Sequence, residues 1–197
     1  MQKVDRRIER TEQLLKDALV SLILEKGYEA VTIKDITERA NVAYVTFFRH
    51  YKEKDELLAR MLEKVVEALA AAVDENDPID SVNKDRLIFE HAQQNHRLYR
   101  ILLSSPGAMP IVKRVKAVIA ARVLEKCRAF FESETAIPPE IFASHMASSL
   151  LSMLQWWLEN DMPYPPERMA EIYSQLVVES AWSVMCGVPA NELYRGD

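Results

Sequence analysis

The sequence has little cysteine and little glycine, and each shortage excludes a class of site. Its two cysteines, Cys127 and Cys186, lie far apart and form no CxxC pair. A disulfide framework or a structural zinc site is therefore not expected. Its four glycines fall at predicted helix ends or loops, and none belongs to a phosphate-binding loop, a dinucleotide fingerprint or a G-x-S-x-G turn. We expect neither an enzyme nor a cofactor.

Long apolar runs are also missing. No stretch approaches the roughly 20 residues that a membrane-spanning helix requires. The first ten residues, MQKVDRRIER, are charged and lack the apolar segment of a secretory signal. We therefore expect no membrane partner and a cytoplasmic location.

The residues that are abundant favour helices. Hydrophobic residues make up 49% of 197 residues, enough for a sizeable core, and long stretches rich in Ala, Leu, Glu, Lys, Arg and Met show little alternation. The composition predicts an all-α protein. The net charge is -5, but residues 1–60 carry 12 basic and 11 acidic residues, net +1, while the remainder carries 13 and 19, net -6. A protein whose first 60 residues are near neutral and whose remainder is acidic can contact DNA through one small face of the first part. An uneven but random distribution of surface charge would give the same difference in net charge between the two parts.

The stretch from Val31 to Leu58 reads as two short helices, a tight turn and the start of a third helix. Thr32, with Asp35 three residues later, forms a typical helix start, so we expect a helix over 33–40. Asn41 tolerates the left-handed backbone that a turn requires. Amphipathic helices are expected on either side, over 5–26 and 54–73. This order predicts a helix-turn-helix, a three-helix head that binds DNA.

The second short helix has an apolar side and an outward side. Val42, Phe47 and Tyr51 can face Ile33, Ile36 and Ala40, which leaves a set of residues on or near the opposite surface: Ala43, Tyr44, Thr46, Arg49 and His50. A large aromatic such as Tyr44 next to a turn on an outward face indicates binding more often than packing.

The same stretch resembles the DNA-binding domain of the TetR family of bacterial transcriptional regulators. The positions that carry the resemblance are Gly27, Tyr28, Thr32, Ile36, Ala40, Val42, Thr46, His50, Tyr51, Lys54 and Leu57. Several positions depart from the family pattern: Thr37 and Asn41 stand where small residues are common, Val45 where glycine is common, and Phe48 where tyrosine is common. The last departure removes a hydroxyl that typically contacts a DNA phosphate, so that contact is either lost or transferred to a neighbour such as Tyr44.

The resemblance implies DNA-contacting roles for particular residues. Those expected to contact phosphates are Thr32, Thr46, His50 and Lys54, and those expected at or beside the groove are Lys34, Ala43, Tyr44, Val45 and Arg49. For His50, a packed, hydrogen-bonded position between helices is an equal alternative. Arg6, Arg7 and Arg10 either reach phosphates or form a solvated helix end.

Residues 54–197 are expected to form a second domain, a helical bundle for ligand binding and dimerisation, after a DNA-binding domain of residues 1–53. Further helices are predicted over 81–94, 95–103, 110–132, 139–160 and 165–186, separated by proline-containing breaks. The last two are apolar over more than one stripe, which indicates a homodimer built as a four-helix bundle, as the resemblance also implies. A helix fully buried within one chain is the alternative.

A small-molecule effector is expected within this body, because helical bundles place ligand sites among facing helices. Candidate lining residues, each also a candidate for ordinary core or surface, are Phe89, His91, Tyr99, Met109, Arg122, Met153 and Trp156. The spacing of His91 and His96 does not place both imidazoles on one helical face, so no metal site is expected.

The sequence leads to a homodimeric regulator, a repressor whose effector lowers its affinity for a palindromic double-stranded DNA operator. The alternative is a helical ligand-binding or scaffold protein with a non-functional head, which Phe48 and the low head charge favour. An enzyme is the weakest of the three readings.

Overall fold

A computed structural model describes residues 6–71, 81–130 and 136–185. The predicted start of the first helix at residue 5, the predicted helix ends at residues 73, 132 and 186, and Cys186, Gly187 and Gly196 lie outside the described residues, as does the side chain of Arg6. The described chain is predominantly helical and contains no strand. The helices are α1 (Arg6–Lys26), α2 (Ile33–Arg39), α3 (Tyr44–His50), α4 (Lys54–Ala71), α5 (Ser81–Gln94), α6 (His96–Ser104), α7 (Met109–Phe130), α8 (Pro139–Glu159), α9 (Pro166–Tyr173) and α10 (Ser180–Met185). The all-α prediction is confirmed.

The chain divides into two compact units. The first contains the chain up to Val65 together with Arg97–Arg114. Its core joins the helix-turn-helix to α1, to the start of α4 and to α6, because each of these helices turns one apolar stripe inward. The fully buried members of this core are Leu15, Leu19, Ile23, Ile36, Phe47, Leu57, Leu58 and Ala108.

The second unit contains Val66–His96 and the chain from Val115 onward. Within it, the rings of Phe89 and Trp157 meet edge to face, with centroids 5.5 Å apart. The Trp157 indole donates to the Tyr164 carbonyl over 2.9 Å, and the Tyr173 hydroxyl donates to the Met146 carbonyl over 3.1 Å. These two bonds satisfy the polar ends of otherwise buried aromatic side chains.

The final predicted helix is interrupted by a change of helical pitch. A π-helical stretch, Ser174–Glu179, separates α9 from α10. The Ser180 hydroxyl donates to the Gln175 carbonyl five residues earlier, over 3.0 Å. Sequence periodicity did not predict this stretch, because one inserted residue changes the apolar pattern very little. No helix in the described ranges is long and apolar enough to cross a membrane.

Candidate nucleic-acid interface

The start of α2 is fixed by a reciprocal cap. The Asp35 amide donates to Thr32 Oγ1 over 3.2 Å, and the Thr32 amide donates to Asp35 Oδ2 over 2.8 Å. Lys26 Nζ lies 2.8 Å from the same carboxylate. The ammonium of Lys26, and then the hydroxyl and amide of Thr32, hold the pKa of Asp35 well below its usual range. The predicted capping residues are confirmed, and the cap connects the end of α1 to α2.

The turn between α2 and α3 has the backbone expected at Asn41, whose φ is 52°. The Val42 amide donates to the Thr37 carbonyl over 3.0 Å and closes the turn. Thr37 is buried, and its hydroxyl donates to the carbonyls of Ile33 and Lys34 over 3.1 and 3.0 Å. Threonine fits where small residues are common because its hydroxyl is satisfied within its own helix.

Helix α3 presents an apolar outer face. Phe47 is fully buried, whereas Tyr44, Val45 and Phe48 are 55%, 59% and 47% exposed. The Tyr44 and Phe48 rings meet edge to face with centroids 5.3 Å apart, and Phe48 meets Phe47 at 5.5 Å. The outer aromatic side chains therefore rest on the core rather than projecting freely. Ala43 and Arg49 are exposed on the same helix or at its start.

The residues predicted to contact phosphates have different surroundings. Thr32 is exposed, although its hydroxyl serves the cap, and Thr46 is half-buried. The His50 side chain is only 12% exposed, with Nδ1 3.8 Å from the Glu12 carboxylate. This position matches the packed alternative for His50. Lys34 is exposed beside Glu38, from which it is separated by 3.8 Å.

Lys54 is engaged inside the first unit. Its Nζ donates to the carbonyls of Val31 and Tyr28 over 2.8 and 3.0 Å, and lies 4.5 Å from the centre of the Tyr28 ring. The Tyr28 hydroxyl donates to the Asp55 carboxylate. Burial, followed by this hydrogen bond, raises the pKa of Tyr28. In this arrangement, Lys54 holds the loop between α1 and α2 against the start of α4, so its ammonium stabilises the head from within.

Two further groups position the head, and sequence reasoning missed both. The Arg39 guanidinium forms a bidentate pair with Glu25, at 2.6 and 2.7 Å. The Glu29 carboxylate accepts from the Ser105 hydroxyl and, over 3.0 Å, from the Gly107 amide. A Cβ added at Gly107 would lie 2.9 Å from Glu29 Cγ, so a larger residue there would force the Glu29 side chain to shift. No local signal reveals a contact between residues so far apart in the chain.

The predicted effector-lining residues fall in both units. Tyr99 and Met109 belong to the first, where burial raises the pKa of Tyr99 to about 12 and Met109 is exposed. The other five belong to the second. Phe89 is fully buried, His91 and Met153 are half-buried, and Arg122 and Trp156 are exposed. Burial lowers the pKa of His91.

An open depression of about 520 Å³ in the first unit contains none of these residues. It is lined by Asp17, Val20, Ser21, Leu24, Glu25 and Arg97. The effector-lining residues therefore stay a prediction.

Two stretches of the chain match models of known protein families. Residues 15–61 match the model described as "Bacterial regulatory proteins, tetR family", and residues 85–179 match the model "Transcriptional regulator C-terminal region". A curated relative, the uncharacterized HTH-type transcriptional regulator YxbF of Bacillus subtilis, is 27% identical over 192 residues, which cover 93% of this chain and 48% of the relative. The chain thus spans less than half the length of the first curated relatives that it matches.

Solved structures share the fold. A TetR-family regulator from Syntrophomonas wolfei aligns with a TM-score of 0.71 at 20% identity, covering 90% of this chain and 97% of the other. The regulator FadR of Bacillus subtilis, solved in complex with stearoyl-CoA, aligns with a TM-score of 0.59 at 18% identity, covering 84% and 97%. At these identities the likeness establishes the fold alone.

Proposed function

Because the chain belongs to the TetR family of transcriptional regulators, we propose that it is a homodimeric repressor that binds a palindromic operator through α3 and is released by a small-molecule effector. The DNA-binding domain ends near residue 53 in this proposal, and the remainder binds the effector and the second copy. A DNA-binding repressor of a bacterial family acts in the cytoplasm.

The observation that carries the proposal is the outer face of α3. Tyr44, Val45 and Arg49 are exposed on a helix whose opposite side is anchored by the fully buried Phe47. The cap at Thr32 and the turn at Asn41 fix the direction in which this helix leaves α2. A rigidly held, outward-facing second helix is the part of a helix-turn-helix that enters the major groove. Lys34, Ala43 and Thr46 flank this face and are proposed to contact the groove edges or the backbone.

The proposed dimer is supported by apolar side chains left exposed on the last helices. Ile141 and Trp156 of α8 are 61% and 49% exposed, and Leu176 of the π-helical stretch is 67% exposed. Large exposed apolar side chains on consecutive helices are typical of a protein interface. Two chains paired through these helices would present two copies of α3, as a palindrome requires.

The effector is proposed to bind the helical part of the chain and to shift the population towards a geometry that cannot occupy two grooves at once. The FadR structure contains an acyl-CoA, so stearoyl-CoA is a reasonable first probe for release. A titration of intrinsic fluorescence, to which Trp156 and Trp157 of α8 and Trp182 of α10 all contribute, would detect binding, and DNA release at the same concentrations would connect binding to function.

Alanine substitutions on α3 test the DNA-binding proposal. Replacing Tyr44 or Arg49 with alanine is expected to reduce the preference for the operator over random duplex about fivefold or more, because a lost base contact costs about 1–3 kcal/mol. The thermal midpoint should stay close to that of the parent, since both side chains are exposed. Lys126→Ala, an exposed lysine in the second unit, is the control and should leave DNA binding unchanged.

A second function remains in competition: a helical ligand-binding protein whose head does not bind DNA. Lys54 donates to backbone carbonyls and His50 packs beside Glu12, so two expected phosphate contacts are weakened, and Phe48 lacks the hydroxyl that would supply another. This alternative predicts no sequence preference at moderate salt, and no effect of Tyr44→Ala or Arg49→Ala on any residual DNA binding.

A further inference from the structure

The outer face of α3 is largely apolar. Tyr44, Val45 and Phe48 are each about half exposed or more, on a helix of seven residues. Such a cluster loses hydrophobic stabilisation by remaining in water, so it is expected to be covered by a partner. In the proposed function that partner is the floor of the major groove.

The polar groups available to read base edges are correspondingly few. Thr46 is half-buried, and the His50 side chain is 12% exposed and faces Glu12. Along α3 this leaves the Arg49 guanidinium and the Tyr44 hydroxyl as exposed polar groups. Arginine reads guanine through its O6 and N7 acceptors. The remaining contact area is apolar, and apolar side chains cannot satisfy the donors and acceptors of base edges.

One base presents an apolar group in the major groove. Thymine carries a C5-methyl group there, which apolar side chains contact, whereas cytosine has only a hydrogen at the same position and no other base carries a methyl group. A face of this composition therefore complements the methyl groups of thymine. It offers few hydrogen-bond partners to the donors and acceptors on the major-groove edges of other bases.

The apolar side chains are also held in place before DNA arrives. Phe48 rests against the fully buried Phe47, and Tyr44 rests against Phe48, at centroid distances of 5.5 and 5.3 Å. Val45 is β-branched, so one χ1 rotamer dominates in a helix. Little side-chain entropy is lost when such a surface is covered.

We propose that α3 recognises thymine C5-methyl groups, with Val45 as the main specificity-determining side chain and Phe48 completing the apolar contact. The proposal rests on the function proposed above and names the chemistry of its operator. It also gives Phe48 a role: the ring that lacks a phosphate-contacting hydroxyl contributes apolar surface to base recognition.

Replacing thymine with deoxyuridine tests the proposal directly, because it removes the methyl group and preserves base pairing. The duplex selected by the full-length dimer from a random pool is the probe, with deoxyuridine introduced at one thymine at a time. We expect Kd to rise about fourfold at one or two positions in each half-site, the effect of losing one buried methyl group. Thymines outside the half-sites serve as controls and should show no change.

A double-mutant cycle assigns the contact to its side chain. With Val45→Ala, the parent duplex should bind about fourfold or more weakly, and deoxyuridine at the critical position should cost little further. Phe48→Ala tests the second contact in the same way. Thermal melting confirms that each variant folds, as expected for exposed positions. A duplex with cytosine at the critical position should bind the parent protein more weakly than the thymine duplex. Replacing that cytosine with 5-methylcytosine restores the methyl group and should recover part of the lost affinity.

Three outcomes overturn the proposal while the proposed function stands: a selected half-site without thymine, deoxyuridine that is neutral at every position, or a deoxyuridine effect that persists undiminished in both Val45→Ala and Phe48→Ala. If no duplex is selected at all, the DNA-binding function itself fails and the proposal fails with it.

Discussion

Phe48 presents an exposed apolar ring where a tyrosine would also present a hydroxyl. Its ring is 47% exposed and packs between Tyr44 and Phe47, so a hydroxyl added at its outer edge would not disturb the core. The neighbouring Phe47 is fully buried, and the same change there would place a hydroxyl in an apolar environment.

Phe48→Tyr is expected to tighten operator binding about 3- to 10-fold, because the new hydroxyl can donate to a negatively charged phosphate. Titration by fluorescence anisotropy measures the change. Phe47→Tyr is the matched control. It should not tighten operator binding, and it should lower the free energy of unfolding by about 1–3 kcal/mol. Unchanged or weaker DNA binding by Phe48→Tyr would show that a hydroxyl at the outer edge of this ring does not reach a phosphate.

Glu29 makes the stability of the first unit depend on pH. Hydrogen bonds from the Ser105 hydroxyl, and then from the Gly107 amide, lower the pKa of the Glu29 carboxyl below its usual value. A carboxyl whose folded-state pKa is depressed stabilises the fold above its unfolded pKa, about 4.3, and loses that contribution as the pH falls through the lower folded value.

Glu29→Gln is therefore expected to lower the thermal midpoint at pH 7, and the gap from the parent should close as the pH falls below about 4, since a protonated glutamate resembles glutamine. Melts followed by circular dichroism between pH 7 and 3 measure this. Glu38→Gln, at an exposed position, is the control and should change the midpoint little at any pH. A gap that is constant across the range would show that the charge of Glu29 is unimportant.

The short α2 depends on its cap more than a long helix would, because seven residues provide few internal hydrogen bonds. Thr32→Ala is expected to destabilise the protein by about 1 kcal/mol, measured by urea unfolding. Thr11→Ala is the control, since the Thr11 hydroxyl donates only to a carbonyl within α1, and its effect should stay within about 0.5 kcal/mol. Equal effects of the two substitutions would argue against the cap.

The elements that local chemistry specifies were predictable. The start of α2 at Ile33 and the turn at Asn41 follow from capping and from left-handed backbone preference, and both are confirmed. The breaks between α5 and α6 and before α8 follow from turn residues and proline, and they lie within about two residues of their predicted places.

Contacts between distant residues were not predictable in the same way. The expected roles of Lys54 and His50 came from family resemblance, whereas their partners, backbone carbonyls and Glu12, depend on how α1 crosses α4 and α3. The bond between Glu29 and Ser105 spans 76 residues. Periodicity identifies which face of a helix is apolar, but it does not identify which polar groups meet when two such helices pack.

The exposed apolar side chains of α8 and of the following π-helical stretch are best explained at the scale of two chains. Leu176→Arg places a charge in the proposed interface and is expected to convert the dimer into monomers at micromolar concentration, as measured by sedimentation velocity. Operator affinity should fall more than tenfold with it, because one head alone contacts one half-site.

Tyr164→Arg changes an exposed aromatic residue in the segment between α8 and α9, and is the control for the same charge at another exposed apolar site. It should leave both the dimer and operator binding intact. A Leu176→Arg protein that still sediments as a dimer would remove this surface from the interface.

We expect two copies of α3 to read two successive major-groove openings. Selection of bound duplexes from a random pool by the purified full-length protein, at moderate salt, tests it most directly. We predict enrichment of an inverted repeat whose half-sites are separated, centre to centre, by one helical turn of about 10 base pairs or a multiple of it. A pool that shows no enriched sequence, or a single unpaired half-site, would contradict it.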